Sequence, residues 1–411
     1  MGNQLDKSNK NKIKSKNEEK KYKYNLTNNL NIKNPFFKKI QTLSNYTCMN
    51  FEIYQLKSKN NSIYIAFLSD NNRIIIYKYI EKFKMFKEIS KLLINTQYTP
   101  PNIKIKYFYN PLNKKEYIFV LRSSEEIIEI YLIKEEDKFK KINKEFQGIH
   151  RRGFNKNLTA DSFEVFYNEY NKSIYIIISY IIYEYGCFSS EPLDIYKYID
   201  IIILKKKNLE IIKTITFDLK NNGEVLNLIY KDENNQKYYI IIILNNNIQI
   251  MEIKNNFKTE NLFEINNKLY DFLKLIKIDY RFNYDFEVQI SCHPCFINKG
   301  INSDYLYIAN NKHNKESDLV IIDLLKRKIL KFINLSFLVR SLVNWNNSNI
   351  ILISLDSFYI LDINTYQIIA KYINIDIGRN ILYAKPFFSK EHKFYCLFLL
   401  TNKLKYYINN I

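Results

Sequence analysis

Asn349-Ile350-Ile351-Leu352-Ile353-Ser354-Leu355-Asp356-Ser357-Phe358-Tyr359-Ile360-Leu361-Asp362-Ile363-Asn364-Thr365-Tyr366-Gln367-Ile368-Ile369-Ala370-Lys371-Tyr372 is the stretch whose pattern decides the fold of this chain. A five-residue run ending at Ser354 meets a turn at Leu355 to Ser357. A second run, Phe358 to Ile363, meets a turn at Asn364 to Tyr366, and a third begins at Gln367. Runs this short, rich in β-branched and aromatic residues and separated by turn residues, predict antiparallel strands joined by hairpins.

The pattern recurs upstream. Leu319-Val320-Ile321-Ile322-Asp323-Leu324 followed by Arg327 to Phe332 repeats the second and third runs. Further pairs are predicted at Tyr238 to Leu244 with Ile248 to Ile253 and at Ile174 to Tyr180 with Ile199 to Leu204. Two more lie at Tyr117 to Arg122 with Ile127 to Ile133 and at Ser62 to Ser69 with Arg73 to Tyr79. These make six units up to Tyr372, and a period of this kind signals a repeat architecture. A seventh unit begins at Ile381 and holds Phe394 to Leu400 and Lys403 to Ile408. The chain stops before its fourth strand.

The Asn349 to Tyr372 stretch resembles the second, third and fourth strands of a WD40 repeat. In that family a strand ends in Trp-Asp and a Thr-Gly-like turn leads on. Here Leu361 stands in the Trp position, Asp362 keeps the acid, and Thr365-Tyr366 replaces Thr-Gly, while Ile322-Asp323 takes the dipeptide position in the preceding copy. The resemblance implies an all-β fold, a seven-bladed β-propeller of four-stranded antiparallel blades over residues 35–411, with six or eight blades left open. The missing strand is expected from Phe36 to Leu43, because a ring closed by its N-terminal segment leaves no exposed strand edge in the last blade.

Composition agrees with one large domain plus a tail. The 411 residues carry a net charge of +20, with 35 Tyr, 28 Phe and only 7 Gly and 7 Pro. Many strands read as continuous Ile, Tyr and Leu, as expected for sheets buried on both faces. The five cysteines are odd in number and mostly far apart, unlike a disulfide framework, and a reducing, cytoplasmic setting is expected. Apolar runs such as Ile174 to Ile182 are too short for a membrane-spanning helix.

Three segments fall outside the strand pattern. Residues 1–34 are expected to be a disordered basic tail, with Lys7, Lys10, Lys12, Lys14, Lys16, Lys20, Lys21 and Lys23 set against Asp6, Glu18 and Glu19. Gly2 in the opening Met-Gly-Asn-Gln-Leu-Asp resembles an N-myristoylation site, with Asp6 where Ser or Thr is usual. One acyl chain attaches only reversibly, so the lysines would supply the second contact with anionic lipid. A solubilising tail is the alternative. The connector Glu145 to Ser162 sets His150, Arg151 and Arg152 between Gly148 and Gly153, a set suited to an acidic or phosphorylated partner unless it is a solvated linker. In Asn266 to Tyr284, Leu269, Phe272, Leu273 and Ile276 at helical spacing predict a short helix.

The sequence mostly lacks catalytic motifs. Cys292-His293-Pro294-Cys295 offers two thiols and an imidazole, but His150, His313 and His392 have no spacing that completes a four-ligand zinc site. No phosphate loop, nucleophile elbow or HExxH run occurs, and Asp194, Asp285 and Asp304 are scattered. The sequence therefore predicts no metal, no cofactor and no small-molecule substrate. It points to a non-catalytic scaffold for protein partners, tethered to the cytoplasmic face of a membrane. The alternative is an RNA-associated component of an RNA-processing assembly, which the spread-out lysines favour less.

Overall fold

The computed structural model describes residues 22–23, 37–43, 48–59, 61–69, 71, 73–94, 103–134, 138–147, 156–185, 192–205, 208–218, 226–243, 247–253, 273–279, 295–299, 303–311, 316–326, 328–346, 348–354, 357–373, 383–389, 394–400 and 404–409. The described strands form mainly antiparallel sheets, built chiefly from consecutive hairpins, in a propeller arrangement. In chain order, sheet I is Cys48–Leu56, Ser62–Ser69, Arg73–Ile80 and Met85–Leu93. Sheet II is Ile103–Asn110, Lys115–Arg122, Ile127–Ile133 and Phe139–Gln147. Sheet III is Lys156–Asn168, Ser173–Tyr185, Pro192–Leu204 and Ile211–Asp218, and sheet IV is Leu226–Asp232, Lys237–Ile243, Asn247–Ile253 and Leu273–Asp279. Sheet V is Cys295–Lys299, Asp304–Asn311, Ser317–Asp323 and Lys328–Leu335, and sheet VI is Ser341–Asn344, Asn349–Ile353, Ser357–Asp362 and Ile368–Ile373. Sheet VII is Tyr383–Ser389, Phe394–Leu400 and Leu404–Asn409, with Phe37–Leu43 antiparallel on the last of these.

The stack is held by apolar seams. Ile174, Ile176 and Ile178 of sheet III pack with Phe119, Leu121 and Ile130 of sheet II. The alternate residues Tyr175 and Ile177 pack with Ile240 and Ile242 of sheet IV. Alternation along one strand thus feeds two seams, which is why these strands are apolar without a polar face. Similar clusters join I to II, IV to V, V to VI and VI to VII. A further cluster joins Leu43, Cys396 and Leu404 of sheet VII to Phe51, Ile65 and Phe67 of sheet I. Each fully buried isoleucine contributes about 1.5–3 kcal/mol of transfer free energy. First strands of neighbouring sheets approach one another, whereas fourth strands such as Met85–Leu93 and Ile211–Asp218 are only partly buried, so the first strand is the inner one.

Four expectations are corrected. Only six of the sheets have four strands. Sheet V carries a fifth, Tyr22–Lys23, parallel on Lys328–Leu335. The same pair places Lys23, assigned to a tail without structure, in a strand, because Lys21-Tyr22-Lys23-Tyr24 has the strand alternation that the rest of the tail lacks. The helix expected around Leu273 and Ile276 is instead the strand Leu273–Asp279, antiparallel on Asn247–Ile253. Leu273-Lys274-Leu275 satisfies a period of two as well, and the open edge of sheet IV decides between the readings. The connector expected over Glu145 to Ser162 is shorter, since Phe139–Gln147 and Lys156–Asn168 are strands.

Candidate interaction surfaces

The inner strands bring polar side chains together in pairs across seams. Lys106 Nζ lies 2.8 Å from Glu164 Oε1, joining sheets II and III. Lys385 Nζ lies 2.6 Å from Glu52 Oε2, joining sheets VII and I. The Asn344 amide donates to Asn298 Oδ1 at 3.3 Å between sheets VI and V. Charges so placed neutralise one another across the seams. Among the described residues, no three His, Cys, Asp or Glu side chains are grouped to hold a metal ion.

At the end of the stack bearing the first-to-second turns, the stitching is denser. The Glu116 carboxylate of sheet II, 2 % exposed, accepts the Lys57 backbone N–H at 2.6 Å, the Ser58 hydroxyl and the Tyr107 hydroxyl at 2.8 Å. Burial, and then the Glu116 carboxylate, push the Tyr107 phenol well above its ordinary pKa. The Tyr230 hydroxyl donates to Asp304 at 2.6 Å across the IV–V seam. A chain of ion pairs runs from Glu169 to Lys231 at 2.7 Å, on to Glu233 at 3.6 Å, and then to Lys299 at 2.9 Å. Lys299 and Lys231 hold the Glu233 carboxyl below its usual range, and Glu169 is lowered by Lys231.

The opposite end has more relief. The first three strands of sheet III are thirteen residues long, whereas strands of the flanking sheets have seven to nine. The surplus lies beyond Tyr180 and Tyr198, away from the first-to-second turn, so the hairpin stands out by roughly 15 Å. Its margin sets Glu184 directly opposite Asp194, and the Tyr196 hydroxyl donates to Asp194 Oδ2 at 3.4 Å. Beside it, sheet II buries a charge network. Glu129 Oε1 meets Lys141 Nζ at 2.7 Å and Arg122 Nη2 at 3.3 Å, its Oε2 accepts the Tyr131 hydroxyl at 2.7 Å, and Arg122 also pairs with Glu125. Burial, Asp200 and Glu126 raise the Tyr180 phenol well above its ordinary value.

The candidate residues are distributed unevenly over this frame. Gly2, Lys7, Lys10, Lys12, Lys14, Lys16, Lys20 and Lys21 lie outside the described residues, as do His150, Arg151, Arg152, Cys292, His293 and Asp285. The strands flanking His150–Arg152 end at Gln147 and begin at Lys156, at the end of the stack where the sheet III hairpin projects. Cys295 opens the first strand of sheet V, 3 % exposed, and burial pushes its thiol up to about 12, where it is a core residue without redox reactivity. Asp194 is exposed and Asp304 is bound by Tyr230, so the two are not brought together.

One recurring feature went unread in the sequence. Lys57 to Tyr64, Asn110 to Tyr117, Asn168 to Tyr175 and Asp232 to Tyr239 are eight-residue turns ending in Tyr. Their fifth residues, Asn61, Lys114, Lys172 and Gln236, all have positive φ. Asn110 and Asn168 cap these turns by accepting the Leu112 and Tyr170 N–H groups, and Asp232 accepts that of Asn235. In each of the four sheets the closing Tyr faces an aromatic residue of the first strand: Tyr54, Phe108, Phe166 and Tyr230. The Asp of the dipeptide position also has a visible task. Asp362 accepts the Asn364 and Thr365 N–H groups at 2.7 and 3.0 Å, and Asp323 accepts that of Lys326 at 2.8 Å, so both fold the turn into the fourth strand.

No family model matches the chain, and no curated protein matches it in sequence. Its structure is similar to that of the Saccharomyces cerevisiae WD40 protein Sqt1, with a TM-score of 0.53 and 8 % sequence identity. The match covers 90 % of this chain and 99 % of that one. The likeness extends to the fold alone, a β-propeller.

Proposed function

We propose that this protein is a non-catalytic interaction platform, a single β-propeller ring fastened by its N-terminal strand, which presents its loop ends to protein partners. The observation that carries the reading is the contrast between axis and ends. Inner-strand charges such as Lys106 and Glu164 are satisfied pairwise, while the sheet III hairpin projects beyond its neighbours with Glu184, Asp194 and Tyr196 at its margin. Platforms work by such relief on a rigid frame, and loops carry most of their recognition. The Lys-rich tail, with Gly2 acylated, would hold the platform at the cytoplasmic face of an anionic membrane.

The test replaces residues 183–195 with a two-residue turn and compares proteins recovered with the intact and shortened chains. Loss of a specific set with unchanged thermal unfolding supports the platform reading, and identical recovery refutes it. For the tether, a myristate analogue should label the wild type and not Gly2→Ala, which should leave the membrane fraction. Equal partitioning of the two removes that part. Recovery of crosslinked RNA with a steep salt dependence would favour the nucleic-acid reading instead.

A further inference from the structure

The two ends of the ring differ in the surface they present. In each antiparallel sheet the third-to-fourth turn returns to the end that bears the first-to-second turn. At that end Phe83, Leu112 and Leu325 stand in turns of sheets I, II and V, 65 %, 44 % and 45 % exposed. Met85 and Ile211 open fourth strands on the same side and are exposed as well. Among the described residues, Leu93 is the one large apolar side chain so exposed at the other end. We infer that the end bearing Phe83, Leu112 and Leu325 docks on an anionic lipid bilayer, with these apolar turn residues entering the headgroup region and the lysines beside them meeting the lipid charges.

Charge points to the same occupant. Lys82 and Lys84 flank Phe83, Lys114 and Lys115 follow Leu112, and Lys326 follows Leu325. Lys82, Lys114, Lys115 and Lys172 are exposed and form no ion pair among the described residues. Carboxylates at this end are engaged within the ring. Glu116 accepts the Lys57 N–H and the Ser58 and Tyr107 hydroxyls, Glu169 is held by Lys231, and Glu233 by Lys231 and Lys299. Glu210 pairs with Lys205, and Asp323 folds its own turn. A surplus of cations is left facing water here, whereas Glu184 and the exposed Asp194 lie at the opposite end.

The spread of these residues selects a bilayer over other anionic partners. The apolar positions are divided among sheets I, II, III and V, so a folded protein would have to reach several separated points, whereas a lipid surface meets all the turns of one end together. Single-stranded RNA would be gripped by open ring faces, yet Lys57 Nζ lies over the Tyr109 ring at 4.2 Å and Lys82 Nζ over that of Phe83 at 5.7 Å. Interfacial binding instead adds buried apolar area to the attraction of lysines for anionic headgroups. The inference deepens the membrane part of the proposed function and rests on it for the presence of an anionic surface, but it asks nothing of Gly2. It turns the sheet III hairpin toward the aqueous side, where protein partners reach it.

Vesicle sedimentation of the full chain carrying Gly2→Ala tests the face without the acyl chain. Vesicles of phosphatidylcholine mixed with phosphatidylserine should bind it, and phosphatidylcholine alone should not. Phe83→Ser with Leu112→Ser and Leu325→Ser should weaken binding to the mixed vesicles by about tenfold or more, as should Lys114→Glu with Lys172→Glu. Leu93→Ser, at the other end, should leave it unchanged, and thermal unfolding checks that each variant is folded. Equal binding by the parent and both sets of variants overturns the docking face while leaving the acyl tether standing, since labelling of the wild type reads that separately. A loss from the lysine changes alone overturns insertion, and competition by RNA would then assign the face to nucleic acid. Sensitivity to both sets, with no acyl label on the wild type, upholds the docking face and removes only the tether.

Discussion

Lys385 in the first strand of the last sheet bonds Glu52 in the first strand of sheet I at 2.6 Å, across 333 residues of chain. The pair lies on the seam where the two ends of the chain meet, beside the cluster of Leu43, Cys396 and Leu404 with Phe51. The side chains are 24 % and 12 % exposed, so the bond is partly shielded from water.

Lys385→Met should therefore destabilise the protein by about 1 kcal/mol, more than a surface pair but less than a dry one. A double-mutant cycle with Glu52→Gln, read by urea unfolding, should return most of that as coupling. A coupling near zero would mean that the seam is apolar in all but geometry.

Glu129 is 2 % exposed and accepts from Arg122, Lys141 and Tyr131 at once. Glu129→Ala strips the compensation from two cations, and a loss of about 3–5 kcal/mol is expected. Chemical denaturation measures it directly. A loss below about 1 kcal/mol would show that water replaces the carboxylate.

Cys295 and Cys396 are sealed in the core, with thiols pushed up by burial, Cys295 to about 12. Since the reactive species is the thiolate, neither should be alkylated by iodoacetamide at pH 8 in the folded protein, and both should label on unfolding. Peptide mapping distinguishes the two. Rapid native labelling of Cys295 would contradict its place in the core.

Lys114 and Lys172 hold positive φ at exposed turn positions, where a side chain carries a steric cost that glycine avoids. Lys114→Gly and Lys172→Gly should each change stability favourably by about 0.5–1 kcal/mol, the backbone relief outweighing the added freedom of the unfolded chain. Shifts of the urea midpoint are the measurement. A fall in both would show that the lysine side chains are bound elsewhere.

Backbone N–H donors from Thr365 and Asn364 hold the Asp362 carboxyl below its ordinary pKa. The folded value is the lower one, so its stabilisation is complete above the unfolded pKa of about 3.9 and is lost as pH falls through the folded value. Asp362→Asn should flatten that acid limb of the unfolding profile. An unchanged limb would assign the acid sensitivity to other carboxylates.

The hairpin order was legible because its signal is local. Ile350 to Ser354 and Phe358 to Ile363 show short β-branched runs between turns, and Asp362 and Asp323 mark the turns they cap. The eight-residue turns ending in Tyr64, Tyr117, Tyr175 and Tyr239 were equally local, yet they passed unread because Lys114 and Lys172 occupy positions where glycine is the usual marker. Leu269, Phe272, Leu273 and Ile276 misled, since four apolar residues at helical spacing also contain a strand that an open sheet edge can claim.

The sequence by itself determined most of the central strands, their hairpin order and the apolar content that puts two seams on each of the strands buried on both faces, because these depend on neighbours within a few residues. Only the tertiary structure decided that Lys385 meets Glu52, that Glu116 receives Lys57 and Ser58 from the adjacent sheet, and that the backbone of Tyr22 pairs with that of Ile333. Those contacts join residues far apart in the chain. Their partners are selected by how the sheets stack, which no local pattern encodes.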